Sequence, residues 1–191
     1  VLAAAAELGI DASQLEFVSI GSTPEIYRAL QAGKIDAGFI PTDAIPDLEQ
    51  DPDLHNIFDP NVVIPNFINQ VFFARNDALT GRRDLLASAL TAMALGFRYA
   101  YEHREEAIAL SARTLSQSPA DVEWAIDYAI QNQFINPNVD FTPEQMQATQ
   151  VWNLEVQLQD REIPIEQFST TEIFEEVHRR IGRVSRRSLT G

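Results

Sequence analysis

At 191 residues and 45% hydrophobic side chains, the chain is long enough to bury the core of one domain or parts of two. Its formal charge of −14 argues against nucleic acid or an anionic membrane as partner, because both would repel it. Having no cysteine, it has no disulfide framework, thiol nucleophile or cysteine metal site, and no apolar run reaches the ~18 residues of a membrane helix.

Val1–Leu8 reads as a helix stopped at Gly9 in the left-handed cap position. No N-cap residue and no initiating Met precede it, so the chain is expected to begin inside an element. Leu15–Ile20 and Asp36–Ile40 then read as strands on either side of a helix carrying Ile26, Ala29 and Leu30 on one side. That pattern predicts a right-handed crossover between parallel strands. Sheets of this kind bind ligands beyond the carboxyl ends of their strands, which nominates Gly21, Ser22 and Thr23 after the first and Pro41, Thr42 and Asp43 after the second.

Ser22-x-x-Glu25 forms a capping box with Pro24 in the first turn, and Gly21 gives the backbone freedom to change direction. Two readings stand at this turn. The helix N-terminus offers N–H groups to a carboxylate, sulfonate or phosphate oxygen, or Ser22 and Glu25 already satisfy those donors.

After Ile40, Thr42 or Asp43 is placed to cap a short helix running to about Gln50. Asp47, Glu49, Asp51 and Asp53 alternate like calcium ligands but lack the central Gly and distal Glu of such a loop, so they read as a solvated acidic turn. An extended stretch runs from Ile57 to Arg75. Within it, Asn66-Phe67-Ile68-Asn69-Gln70 puts three amides and an aromatic where the chain changes lobe, so Asn66, Phe67 and Asn69 are ligand candidates. The alternative is that these amides pair with neighbouring backbone.

From Arg82 onward the pattern is helical. Leu86, Leu90, Met93, Phe97 and Tyr101 define the inner face of a long helix expected to break near His103 and resume through Ala107–Leu115. Ser118-Pro119-x-Asp121 starts another, with Val122, Ala125, Ile126, Ala129 and Ile130 inward. Thr142-Pro143-Glu144-Gln145 starts a third, and Ser169-x-x-Glu172 a fourth carrying Ile173, Phe174, Val177 and Ile181. His55, His103 and His178 lie in separate elements without a recurring ligand motif, so no metal and no cofactor is expected. No nucleophile elbow, Walker loop or dinucleotide fingerprint occurs, and the chain is read as a non-enzyme.

The run GSTPEIYRALQAGKIDAGFIP, then NFINQVFFARNDAL, then ALTAMALGFRYAYEHREEAIAL resembles the nitrate/sulfonate/taurine/pyrimidine-precursor branch of periplasmic solute-binding proteins, the substrate-binding components of ABC importers. The three phrases occur in that family's order and cover most of residues 15–112. The resemblance implies an α/β fold of the type II periplasmic-binding kind, with two lobes and an N-terminally truncated chain. Residues 1–66 would be a partial second lobe with the ligand-side loops, 67–76 a hinge crossover strand, and 77–191 the helical return to the first lobe and the C-terminal helices. It also implies a periplasmic or membrane-anchored extracellular location, and a helical half that exposes an apolar face where the first lobe would sit.

Function follows as an expectation: a monomer that binds a small organic molecule between lobes, closes about a hinge and is recognised by an ABC permease. An Asp43 facing the cleft favours a ligand with amino or ring N–H donors, such as a thiamine pyrimidine or a flavin-like heterocycle, with Phe67 stacking on the ring. An Asp43 that only caps a helix leaves Gly21–Thr23 open to a sulfonate-type anion. Two alternatives remain. One is the sensing domain of a signalling receptor, to which the basic end Arg179, Arg180, Arg183, Arg186 and Arg187 would connect. The other is an enzyme like the thiamine-pyrimidine synthases, whose cysteine-rich iron site this chain cannot supply.

Overall fold

The computed structural model describes residues 2–40, 44–57, 68, 70–132 and 134–185. Helix predominates among them. In chain order the helices are α1 (Leu2–Glu7), α2 (Thr23–Gln31), α3 (Ile45–Gln50), α4 (Asn76–Gly81), α5 (Arg83–Glu102), α6 (Arg104–Leu115), α7 (Pro119–Gln131), α8 (Pro143–Glu155) and α9 (Glu172–Ile181). Short 3-10 turns occupy Ala12–Gln14 and Ile165–Gln167.

The helix boundaries follow local chemistry. Gly9, at φ 66°, ends α1, with the Ile10 N–H bonded back to Ala5 O at 2.8 Å. Ser118 and Thr142 cap α7 and α8 by accepting N–H bonds from Asp121 and Gln145, each at 3.2 Å, with Pro as the first helical residue. The break expected near His103 is there: its backbone leaves helical values at φ −126°, ψ 53°, and α6 begins at the next residue. The start of α9 differs from expectation. Thr171, rather than Ser169, is the N-cap: the Thr171 carbonyl accepts the Glu175 N–H, while the Ser169 N–H bonds Ile165 O at the end of the preceding 3-10 turn.

Helices α5 and α9 pack on each other, while α6 packs on both α5 and α7. One core cluster joins Ala94, Val139 and Val177, with Leu90, Phe97 and Ile181 against it. A second joins Ile108, Ala112 and Val122, with Ile126 beside them. The most buried residues of α5 are Ala87, Ala94, Arg98 and Tyr101; of the expected stripe, Leu90 and Phe97 pack against the core, Leu86 is half-buried, and Met93 is exposed.

The strand candidates behave differently from the helices. Leu15–Ile20 and Asp36–Ile40 are non-helical, but no β-ladder forms among the described residues. Phe17 and Val18 are each 56% exposed, so neither face of the first segment is covered, and Phe39 and Phe73 are exposed as well. The reason is physical: a strand is fixed by the neighbour that takes its N–H and C=O groups, and extended propensity alone supplies none. The second segment does lie on α2 as a crossover requires. A Cβ placed on Gly38 would stand 2.5 Å from Ile26 Cγ2.

Arg98 is the polar centre of the helical half. Its Nε donates to Pro137 O at 3.1 Å and Nη1 to Ile181 O at 2.9 Å, while Nη2 donates to Gly182 O at 2.8 Å and Asn138 Oδ1 at 3.2 Å. The guanidinium thus caps the carbonyl end of α9, where a helix carries partial negative charge. Asn138 reads the Val184 backbone at both ends, donating to its O and accepting from its N–H, each at 3.0 Å. Asp140 receives Arg183 at 2.7 Å and lies 3.4 Å from His178 Nε2. Val139 packs in the core at φ 50°, a backbone strain that only firmly held neighbours maintain.

Replacing Arg98 with Met leaves several buried carbonyls unpaired, and the expected loss is about 3 kcal/mol in denaturant unfolding. A second prediction concerns the α6–α7 pair. Arg104 grips Asp127 with two 2.6 Å bonds, and these bonds hold the Asp127 carboxyl below the ordinary range. A depressed folded pKa contributes stability above the unfolded value of ~3.9 and loses it as pH falls through the folded value. Because both groups are part exposed, Asp127→Asn is expected to cost about 0.5–1 kcal/mol at neutral pH, with the gap to the parent closing as pH falls through the folded value, measured as unfolding midpoints over an acid pH series.

Candidate functional site

The turn into α2 is where a ligand-side loop was expected, and the Ser22 donors there are already engaged. Both the Ser22 N–H and its hydroxyl donate to Glu25 Oε2 at 2.7 Å. These two bonds, side chain first, hold the Glu25 carboxyl below its usual range, so it is charged over neutral pH. Gly21 takes φ 118°, and a Cβ there would stand 2.5 Å from Glu25 Oε2. The carboxylate therefore occupies the place where an incoming anion would meet the helix N-terminus. Thr23 opens the helix, half-buried, beside Ser22 and Gly21, so the first three candidates stand together at one exposed turn.

One turn further along α2 stands a group the sequence analysis passed over. The Tyr27 hydroxyl is buried with no hydrogen-bond partner among the described residues. Burial first, then the negative charges of Asp47 and Asp51, push its pKa up, so it remains a neutral phenol able to donate. A tyrosine on the inward side of an amphipathic helix reads as core in sequence; only the orphaned oxygen distinguishes it. In the acidic turn itself, Asp51 accepts the Asp53 N–H at 3.0 Å, a local turn bond.

The candidates Pro41, Thr42, Asp43, Asn66, Phe67 and Asn69 lie outside the described residues. Between the last of these, the Ile68 N–H donates to Thr149 Oγ1 of α8 at 3.1 Å, which brings the crossover segment to the helical half. Three of the five basic residues near the C-terminus have structural partners. Arg179 pairs with Glu176, Arg180 with Asp84 at 2.5 Å, and Arg183 with Asp140. Arg186 and Arg187 lie outside the described residues. No helix among the described residues is long and apolar enough to cross a membrane.

A family model described as NMT1/THI5 like matches residues 1–107, more than half of the 191-residue chain. The chain belongs to the NMT1/THI5-like family. Membership confirms the resemblance carried by the three sequence phrases and gives the protein a general solute-binding role with a small-molecule ligand. It also implies the periplasmic-binding fold, of which the described residues contribute helices and no strand ladder. The match spans α1 to the start of α6, so the α2 turn, Tyr27 and the crossover all fall inside it. No curated protein and no solved structure matches the chain.

Gly21→Ala tests whether the turn is built as described. The added methyl meets the Glu25 carboxylate and takes up a backbone conformation that L side chains rarely adopt. The expected outcome is a loss of about 1–2 kcal/mol in denaturant unfolding, with the Ser22 amide resonance displaced as its bond to Glu25 breaks.

Proposed function

We propose that this NMT1/THI5-like protein is the substrate-binding component of an ABC importer, holding a small organic solute between two lobes without transforming it. The family match over residues 1–107, which contains the turn into α2, is the observation that carries the reading. In this reading the protein works as a monomer in the periplasm or on the outer face of a membrane, and hinge closure about the solute forms the shape a permease recognises.

The charge at the α2 turn bears on the ligand class. Glu25 puts a negative group on the very donors a sulfonate would use, and the whole chain carries −14. A neutral or amino-bearing heterocycle of the pyrimidine or flavin kind is favoured over a sulfonate-type anion, since an anion would have to displace Glu25. Tyr27 adds a phenol donor on the same helix, suited to a ring nitrogen or carbonyl. The receptor-sensor alternative draws less support, because Arg179, Arg180 and Arg183 are used in ion pairs within the fold.

Calorimetric titration against a thiamine pyrimidine, riboflavin and taurine tests this assignment. The heterocycles are expected to bind and taurine to give no heat in the parent. Glu25→Gln is expected to gain affinity for taurine, and Tyr27→Phe to weaken the heterocycle about tenfold, the cost of one hydrogen bond to a buried site. Taurine binding tightly to the parent, with no heterocycle response, would reverse the ligand assignment.

A further inference from the structure

A second place in the molecule is shaped to take a ligand, and it lies beyond the family-matched segment. Helix α8 and the segment 159–168 line a partly open pocket of about 160 Å³. Its apolar lining is Met146, Ile163 and Phe168, and its polar lining is entirely uncharged: Thr149, Gln150, Asn153 and Gln159. An apolar cavity of about 150 Å³ holds a benzene ring, so this space suits one ring with a small substituent.

The wall is held rigid by Gln150, only 4% exposed. Its Oε1 accepts the Ile163 N–H and Gln159 Nε2, both at 2.8 Å, and its Nε2 donates to Ile163 O at 2.9 Å. That pairing reads the Ile163 backbone from both sides and fixes segment 159–163 against α8. Gln159 spends its Nε2 on Gln150 and on Arg161 O at 2.6 Å, and its Oε1 accepts no bond among the described residues. The Asn153 carboxamide makes no hydrogen bond among the described residues either. One unengaged carboxamide, Asn153, and the free Oε1 of Gln159 thus line one small cavity with a preorganised wall, offering a donor and acceptors.

We propose that this cavity is a binding site for a small, neutral, planar molecule with an amide-type edge, read by Asn153 and Gln159 and packed between Met146, Ile163 and Phe168. A charged ligand is disfavoured because no lining residue neutralises it and desolvation would go uncompensated. Thr149 also holds the Ile68 N–H, so an occupant touches the helix that anchors the crossover segment. The site stands on the cavity itself and does not depend on the importer reading.

The test is an amide-detected NMR titration with benzamide and its charged isostere benzoate. Saturable shifts with benzamide at the Asn153 side-chain amide and the Thr149 and Ile163 backbone amides are expected, with benzoate at least about tenfold weaker. Asn153→Leu, at a part-exposed position, should lower benzamide affinity about tenfold, and Met146→Trp, which fills the space, should abolish it; Asn153→Ser serves where the Leu variant does not give a folded spectrum. The proposal is overturned by absence of saturable shifts up to about 10 mM benzamide, by equal affinity for benzoate, or by unchanged binding in the Asn153 variant.

Discussion

A buried guanidinium needs acceptors for its donors, and that constraint organises the helical half. Arg98 reaches into the space between α5, the loop 135–141 and the end of α9, where its partners are mostly backbone carbonyls. Carbonyl dipoles can solvate a cation only if the chain presents several of them at once, so the loop and the α9 terminus must both be in place. The same requirement explains the strain at Val139. Its φ of 50° aims the neighbouring Pro137 carbonyl and Asn138 amide at Arg98 while its own side chain completes the Ala94–Val177 cluster. Asn138 and Asp140 extend the clamp to Val184 and Arg183, binding the chain beyond α9 to the core.

The turn into α2 shows an opposite circumstance: polar groups satisfied locally by a neighbour three residues away. Glu25 meets the Ser22 donors within α2 itself, so this helix start is stable without help from elsewhere. Its carboxylate leaves a negative charge at the turn. The Tyr27 hydroxyl is the contrasting case on the same helix, a buried donor with nothing to bond among the described residues. A satisfied turn and an unsatisfied phenol on one helix are consistent with a site that reads neutral acceptors and repels anions.

Helices were legible in the sequence because their determinants are local. Ser118 and Thr142 cap where the pattern places them, Gly9 stops α1, and the inward residues Ile173, Phe174 and Val177 of α9 are all buried. The burial of Arg98 on α5 was missed because Arg98 reads as a surface residue until its carbonyl partners, 39 or more positions away, are known. The strand expectation for Leu15–Ile20 rested on composition, whereas a ladder depends on a partner that composition does not name. The family, by contrast, was legible from three phrases in order, and the match over residues 1–107 agrees with it. Of the candidate site, the turn at Gly21–Thr23 was legible as a capping box, but the outcome of the competition between Glu25 and a ligand for its donors required the geometry. The amides around Gln150 carried no periodic signal, since Gln159 and Ile163 join α8 from a loop.

The central claim is that this protein holds a small solute and returns it unchanged. Native mass spectrometry of the protein incubated with thiamine pyrimidines, riboflavin and taurine tests it most directly, by weighing the complex and then the compound released on unfolding. A one-to-one complex whose released compound has its starting mass is the predicted result. Release of a chemically altered compound, or a folded protein that retains none of the solutes, would contradict the account.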